Sequence, residues 1–145
     1  MALIYKVKQE NIDVIFPYIR HLLQKPLDRG LGEITLDTVQ GYCRLGYHQL
    51  WLGLDQVSKK IVLAFTTEII TYPTGQKQLH LHLTGAEEHS LDKWLNDWSG
   101  PVEDFCKQNN ISYIHTTGRD GWEKVLKPLG YSKYYTVLVK EIGND

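Results

Sequence analysis

Hydrophobic residues recur along this chain in two rhythms, and the switches between them mark out the predicted elements. Leu3 to Lys8 alternates as an edge strand does. From Asn11, a candidate N-cap, Val14, Ile15, Tyr18, Ile19 and Leu22 follow the spacing of a helix face. Pro17 fits an early turn of that helix or a kink in it. Lys25-Pro26 is predicted to end it, because the residue before a proline is pushed out of helical geometry. Beyond the Gly30-Leu31-Gly32 break, Thr35 or Asp37 can cap a second helix, with Val39, Tyr42, Cys43 and Gly46 on its inner face. Gln49–Leu54, Lys60–Tyr72 and Gln78–Thr84 then read as a three-stranded meander, turned at Asp55–Lys59 and at Pro73-Thr74-Gly75. In its third strand Leu79, Leu81 and Leu83 are predicted on one face, with His80 and His82 on the other.

Ser90 is a candidate cap for a further helix, whose stripe is Leu91, Trp94, Leu95 and Trp98, then Val102, Phe105 and Cys106. Ser99-Gly100-Pro101 between the two halves predicts a kink or two consecutive helices, since an interior proline costs roughly 3 kcal/mol. Ile111 to Gly118 reads as a strand entering a turn. Trp122, Val125, Leu126 and Leu129 form a short helical stripe stopped at Gly130, and Tyr131 to Lys140 reads as a closing strand. The order β-α-α-β-β-β-α-β-α-β predicts an α/β (α+β) domain over residues 1–145, a mixed sheet with helices on both faces.

Composition adds mainly exclusions. A chain of 145 residues suits one domain with one sizeable core. The net charge of −1, without a basic run, argues against nucleic-acid binding. No stretch approaches the roughly 20 apolar residues that cross a bilayer, and the N-terminus lacks a signal-peptide core, so a cytoplasmic location is expected. Cys43 and Cys106 read as two reduced, buried thiols, with a disulfide between them left open; no Cys-x-x-Cys pair or Gly-x-Ser-x-Gly elbow occurs.

Candidate chemistry concentrates on the sheet. Glu68 is the carboxylate placed to act as general base toward an amine, although the same pattern describes a solvated strand residue. His80 and His82 share a face, and His115 falls on a neighbouring strand. They read as cleft lining, as a water-mediated base, or as a three-imidazole metal site; no metal ligand is assigned from an i, i+2 pair alone. Tyr134 and Tyr135 point to opposite faces of the last strand, so at most one phenol reaches a cleft. Arg119 can clamp a phosphate or carboxylate, and Asp120 can cap the helix that follows. Trp94, Trp98 and Trp122 read as core, and Trp51 as the tryptophan suited to a cleft or interface.

The element order resembles the GNAT (GCN5-related N-acetyltransferase) fold over nearly the whole chain. Val125-Leu-Lys-Pro-Leu-Gly-Tyr131 is similar to that family's Leu-Tyr-Glu-Lys-Leu-Gly-Phe, and Cys106-Lys-Gln-Asn-Asn-Ile111 to its Ala-x-x-x-Gly-Val entry into the fifth strand. The Gly118-Arg-Asp-Gly-Trp122 signature resembles small GNAT-like proteins of tailed bacteriophages. The resemblance implies acetyl-CoA as cofactor, Leu83, Thr84, Gly85, Ser90 and Arg119 as its contacts, and Glu68, His82 and Tyr134 as catalytic residues.

Several positions depart from the family pattern. Its Arg/Gln-x-x-Gly-x-Gly/Ala pyrophosphate loop corresponds here to Thr84–Trp94, which has Gly85 alone and brings Glu87, Glu88 and Asp92 near a helix start. Acidic groups there would repel a pyrophosphate. The family's general-acid tyrosine aligns with Leu126, and its asparagine with Arg119. Two readings follow: an N-acyltransferase with an altered site, or a non-catalytic phage structural or host-interacting protein on the same scaffold. A histidine-centred metal-binding protein is a third. The partners implied are another protein of phage or host, or a second copy in a homodimer, with no nucleic acid and no membrane. A phage-encoded chain would reside in the host cytoplasm or the virion.

Overall fold

Five strands form one mixed sheet, in chain order across its width. β1 (Ala2–Lys6), β2 (Gln49–Asp55), β3 (Ile61–Thr71) and β4 (Lys77–Ala86) are successively antiparallel, and β5 (Tyr113–Thr116) runs parallel to β4. The parallel step needs a crossover, and α3 (Leu91–Gln108) supplies it. α1 (Ile12–Asp28), α2 (Leu36–Leu45), α4 (Asp120–Leu126) and two 3-10 turns, Gln9–Asn11 and Lys127–Leu129, are the other described elements. This computed structural model describes residues 2–87, 91–118 and 120–143, and the backbone alone for residues 91–95 and 120.

Alternation along the strands gives the sheet two apolar faces. On one, Leu50, Leu52, Ala64 and Leu83 meet Ile12, Phe16, Ile19, Leu22 and Leu23 of α1, together with Leu36, Val39 and Cys43 of α2. On the other, Ile4, Trp51, Leu63, Phe65, Leu79 and Leu81 meet Trp98, Val102 and Cys106 of α3 and Leu126 of α4. The sheet therefore separates Cys43 from Cys106, and both are free thiols. Burial pushes Cys43 up to about 12 and Cys106, with help from Glu103, up to about 11, which leaves both inert at neutral pH.

Several expectations change in three dimensions. α1 does not stop at Lys25; it runs through Pro26 to Asp28. Pro26 has no N–H to offer the carbonyl one turn back, that of Leu22, and this carbonyl is the group packed against Gly85 of β4. α3 is likewise one helix through Pro101. Thr35 caps α2, its hydroxyl accepting from the Thr38 N–H at 3.3 Å, while Gly46 is the left-handed C-terminal stop at φ +82° and not an inner-face residue. Trp51 is core and not cleft: it stacks on Phe65, and its indole N–H donates to Thr67 Oγ1 at 3.0 Å.

The largest change is at the end of the chain. Residues 131–143 form no strand, and Tyr134, Tyr135 and Leu138 are 83%, 81% and 89% exposed. Their strand-prone sequence is not enough by itself, because a strand exists only where a neighbouring edge completes its hydrogen-bond ladder. Here the chain departs from the body after Tyr131, the last residue packed against the core.

Candidate active site

A break in the alternation of β4 builds the site. Thr66 pairs with Leu83 and Thr67 with Leu81, so His82 has no opposite number on β3 and sits in a bulge. The extra residue reverses the faces. Leu79 and Leu81 lie in the α3–α4 core, whereas Leu83 lies in the α1–α2 core, which corrects the expectation of one shared leucine face. The Leu83 N–H beside the bulge donates to Thr66 Oγ1 at 3.2 Å. β4 and β5 pair only as far as Leu81 and Thr116. From His82 to Ala86 the outer edge of β4 therefore meets no strand among the described residues.

Glu68, directly across from His80, stands at the centre of a histidine cluster. Its Oε1 lies 2.9 Å from His80 Nδ1, and its Oε2 lies 3.3 Å from Nε2 of His48, which enters from the α2–β2 junction. The His80 ring stacks on His115 at 4.8 Å, and the His82 ring lies 5.5 Å from His80 and 5.3 Å from His48. His115 Nδ1 is in turn 2.9 Å from Gln78 Oε1.

Titration follows from this packing. Burial alone would raise Glu68, but the hydrogen bond from His80 and the charges of His48, His80 and His82 outweigh it, so the carboxyl is held below its ordinary value. Burial depresses His48 despite the neighbouring carboxylate. His82 is depressed by burial and by His48 and His80, and His115 by burial and His80. At neutral pH an ionised Glu68 thus faces neutral His48. A carboxylate only accepts, so the proton must sit on His80 Nδ1 and on His48 Nε2. In the neutral tautomer of His80, Nε2 then carries the lone pair on a partly exposed ring. His48 Nδ1 and His82 Nδ1 are buried with no hydrogen-bond partner.

Of the expected site residues, the structure brings together Glu68 and His82 and adds His80 as the closer partner of the carboxylate. Tyr134 is exposed and stacks edge-on against Tyr135. Leu83 is buried, Thr84 lies opposite Phe65, and Gly85 is pressed beneath α1: a Cβ there would come within 1.8 Å of Leu22 O. Ser90 and Arg119 lie outside the described residues, as does Glu88. Leu126, at the position of the family's acid, is a core residue. His48 had no sequence signal beyond a polar residue at the head of a strand. Among the described residues no group of three or more His, Cys, Asp and Glu side chains is arranged to hold a metal ion.

The edge of β4 that meets no strand among the described residues would suit an extended, amide-bearing arm. Beside the end of that strand Lys25 Nζ donates to Ala86 O at 3.3 Å, and His21 Nε2 lies 3.5 Å from Glu87 Oε1. The bare side of Gly85 is already filled by α1.

No protein-family model matches the sequence, and no curated protein matches it. Solved structures do match in three dimensions. A predicted acetyltransferase from Clostridium acetobutylicum, solved with acetyl-CoA, superposes at a TM-score of 0.68 with 14% identity over 97% of this chain and 96% of that one. A probable acetyltransferase superposes at 0.72 with 10% identity over 99% of both chains. The glucosamine-6-phosphate N-acetyltransferase of Arabidopsis thaliana superposes at 0.68 with 17% identity, again over 99% of both. At these identities the likeness is one of fold: the chain has the GNAT acetyltransferase fold.

Proposed function

We propose that this protein is an acyl-CoA-dependent N-acyltransferase in which His80, oriented by Glu68, is the general base. The observation that carries the reading is the 2.9 Å contact between Glu68 Oε1 and His80 Nδ1 beside the open end of β4. Acyl-CoA, when bound, supplies an acyl thioester whose transfer to an amine forms an amide and releases the free thiol. An amine is protonated at neutral pH and must lose a proton to attack. His80 Nε2 is the acceptor, and the carboxylate at Nδ1 stabilises the imidazolium that results. His48 holds the second oxygen of Glu68 and so fixes the plane of the carboxylate. Lys25, whose Nζ donates to Ala86 O at the end of β4, is the cation that would meet an anionic group bound there.

The acetyltransferase names of the structural neighbours support the reading. The amino-sugar substrate in the name of the Arabidopsis protein is a reason to include amino sugars among the amines tried. The test is thiol release from acetyl-CoA in the presence of a panel of primary amines. Amine-dependent release that His80→Ala abolishes is expected. No release above spontaneous hydrolysis, with no rise in melting temperature at millimolar acetyl-CoA, would sink the proposal.

A second reading, a non-catalytic protein serving a phage or host partner, draws on one observation: the exposed apolar segment that ends the chain. Stable capture by a partner with no turnover of any acyl-CoA would favour it.

A further inference from the structure

Two complementary features are left unused by the folded chain. One is the outer edge of β5, the last strand in the sheet, which among the described residues pairs with β4 on its inner side only. Tyr113 on this strand is 60% exposed. An unpaired edge of this kind is a template for another strand. The other is the stretch Ser132–Ile142, which carries Tyr-Tyr-Thr-Val-Leu-Val without a glycine or proline and yet lies outside the sheet. Val137, Leu138, Val139 and Ile142 are all exposed on it.

The boundary between body and tail is sharp. Gly130 turns the chain at φ +97°, the Tyr131 N–H donates to Leu126 O at 3.3 Å, and the Tyr131 ring packs on the core, so departure begins at Ser132. Beside the open edge, Ile114, Trp122 and Val125 are only partly covered. An apolar tail that avoids its own edge, next to an apolar rim that lacks a cover, matches a copy of itself.

We propose that residues 132–142 of one chain add as a sixth strand to the β5 edge of a second copy, which returns its own tail in a two-fold exchange. Such an isologous exchange satisfies both edges at once and closes the assembly, so that it does not propagate. Tyr134 and Tyr135 would then lie on opposite faces of the partner's sheet, and one phenol would reach the face that carries His115 and His80. Ile114 lies toward the opposite, α3–α4 core, and alternate apolar residues of the tail would cover it.

The test uses the full chain. Sedimentation velocity at micromolar concentration is expected to show a dimer, and a monomer would overturn the proposal. Tyr113→Cys is combined with Val137→Cys in one variant and with Leu138→Cys in another, the adjacent positions sampling both faces of the tail. In at least one, oxidation is expected to give a covalent dimer on a non-reducing gel. A disulfide closed within one chain in both variants would show the tail on its own edge and overturn the exchange. The double change Val137→Pro with Leu138→Pro removes one ladder donor whichever way the tail faces, from a segment that makes no strand contacts within its own chain. Native circular dichroism with conversion to monomer is the supporting outcome; a dimer that survives it would place the interface elsewhere. None of these readouts depends on turnover, so a dimer without activity would sink the transferase reading alone.

Discussion

Glu68 and His80 face each other across the β3–β4 ladder, with Oε1 2.9 Å from Nδ1. The carboxylate can only accept, which assigns a proton to Nδ1; in the neutral ring Nε2 is then the nitrogen that can receive one. On the transferase reading, His80→Ala should lower kcat by about 10²- to 10⁴-fold. Glu68→Gln should lower it less, by roughly 10-fold or more, because an amide can still orient the ring but cannot balance its charge. The rise in melting temperature with acetyl-CoA should persist in both. Steady-state kinetics beside thermal shift would check the pair, and unchanged kcat in His80→Ala would remove the base from the proposal.

The same cluster predicts loss of stability in mild acid. His48, His82 and His115 bind protons less readily folded than unfolded, chiefly because they are buried. The unfolded chain therefore binds more protons once the pH falls below about 6.5, the ordinary histidine value. Stability must drop from there toward the folded values. Glu68, also depressed, contributes with the same sign in the lower carboxylate range. Calorimetry between pH 7.5 and pH 5 should show a falling melting temperature, with a shallower fall in His82→Gln. A flat profile would contradict the burial of these rings.

Gly85 and Gly41 should respond oppositely to alanine. At Gly85 the new Cβ meets backbone, 1.8 Å from Leu22 O and 2.5 Å from Leu22 C, so α1 must move off β4. Overpacking of this kind typically costs about 1–3 kcal/mol. At Gly41, inside α2, only the tip of the Arg44 side chain comes near, at 4.0 Å. Removing its unfolded-state freedom should stabilise by about 0.5–1 kcal/mol. Denaturant midpoints of the two variants, moving in opposite directions, are the expected result.

Thr67 joins the buried Trp51 to the half-buried Gln49, accepting from Trp51 Nε1 at 3.0 Å and donating to Gln49 Oε1 at 2.8 Å. Thr67→Val keeps the shape and strands the indole N–H in the core. The expected cost is about 1–3 kcal/mol, read by urea unfolding. A neutral result would mean that another acceptor reaches Trp51.

The order of elements was legible in the sequence, because apolar residues spaced for a helix face or a strand face must be buried on that face whatever the rest of the chain does. The helical spans of α1 and α3, the meander and Gly130 as a stop are all of this local kind, although the face of α1 was misread: Val14 and Tyr18 are exposed, and Ile12 and Phe16 are buried beside Ile19 and Leu22. So was the fold, which those elements in that order nearly specify. Proline misled at Pro26, which lies within a continuous helix, and Pro101 divides α3 into no second helix. The cost of a lost helical hydrogen bond can be offset by packing, and packing is not local.

What tertiary structure alone decided was position between elements. His48 is far from Glu68 in sequence and becomes its neighbour only when α2 ends at Gly46 and delivers the next strand beside β3. The bulge at His82 depends on two strands and shows in neither. Whether Tyr131–Lys140 forms a strand depends on an edge to receive it, and a single chain's sequence does not say whose edge that is.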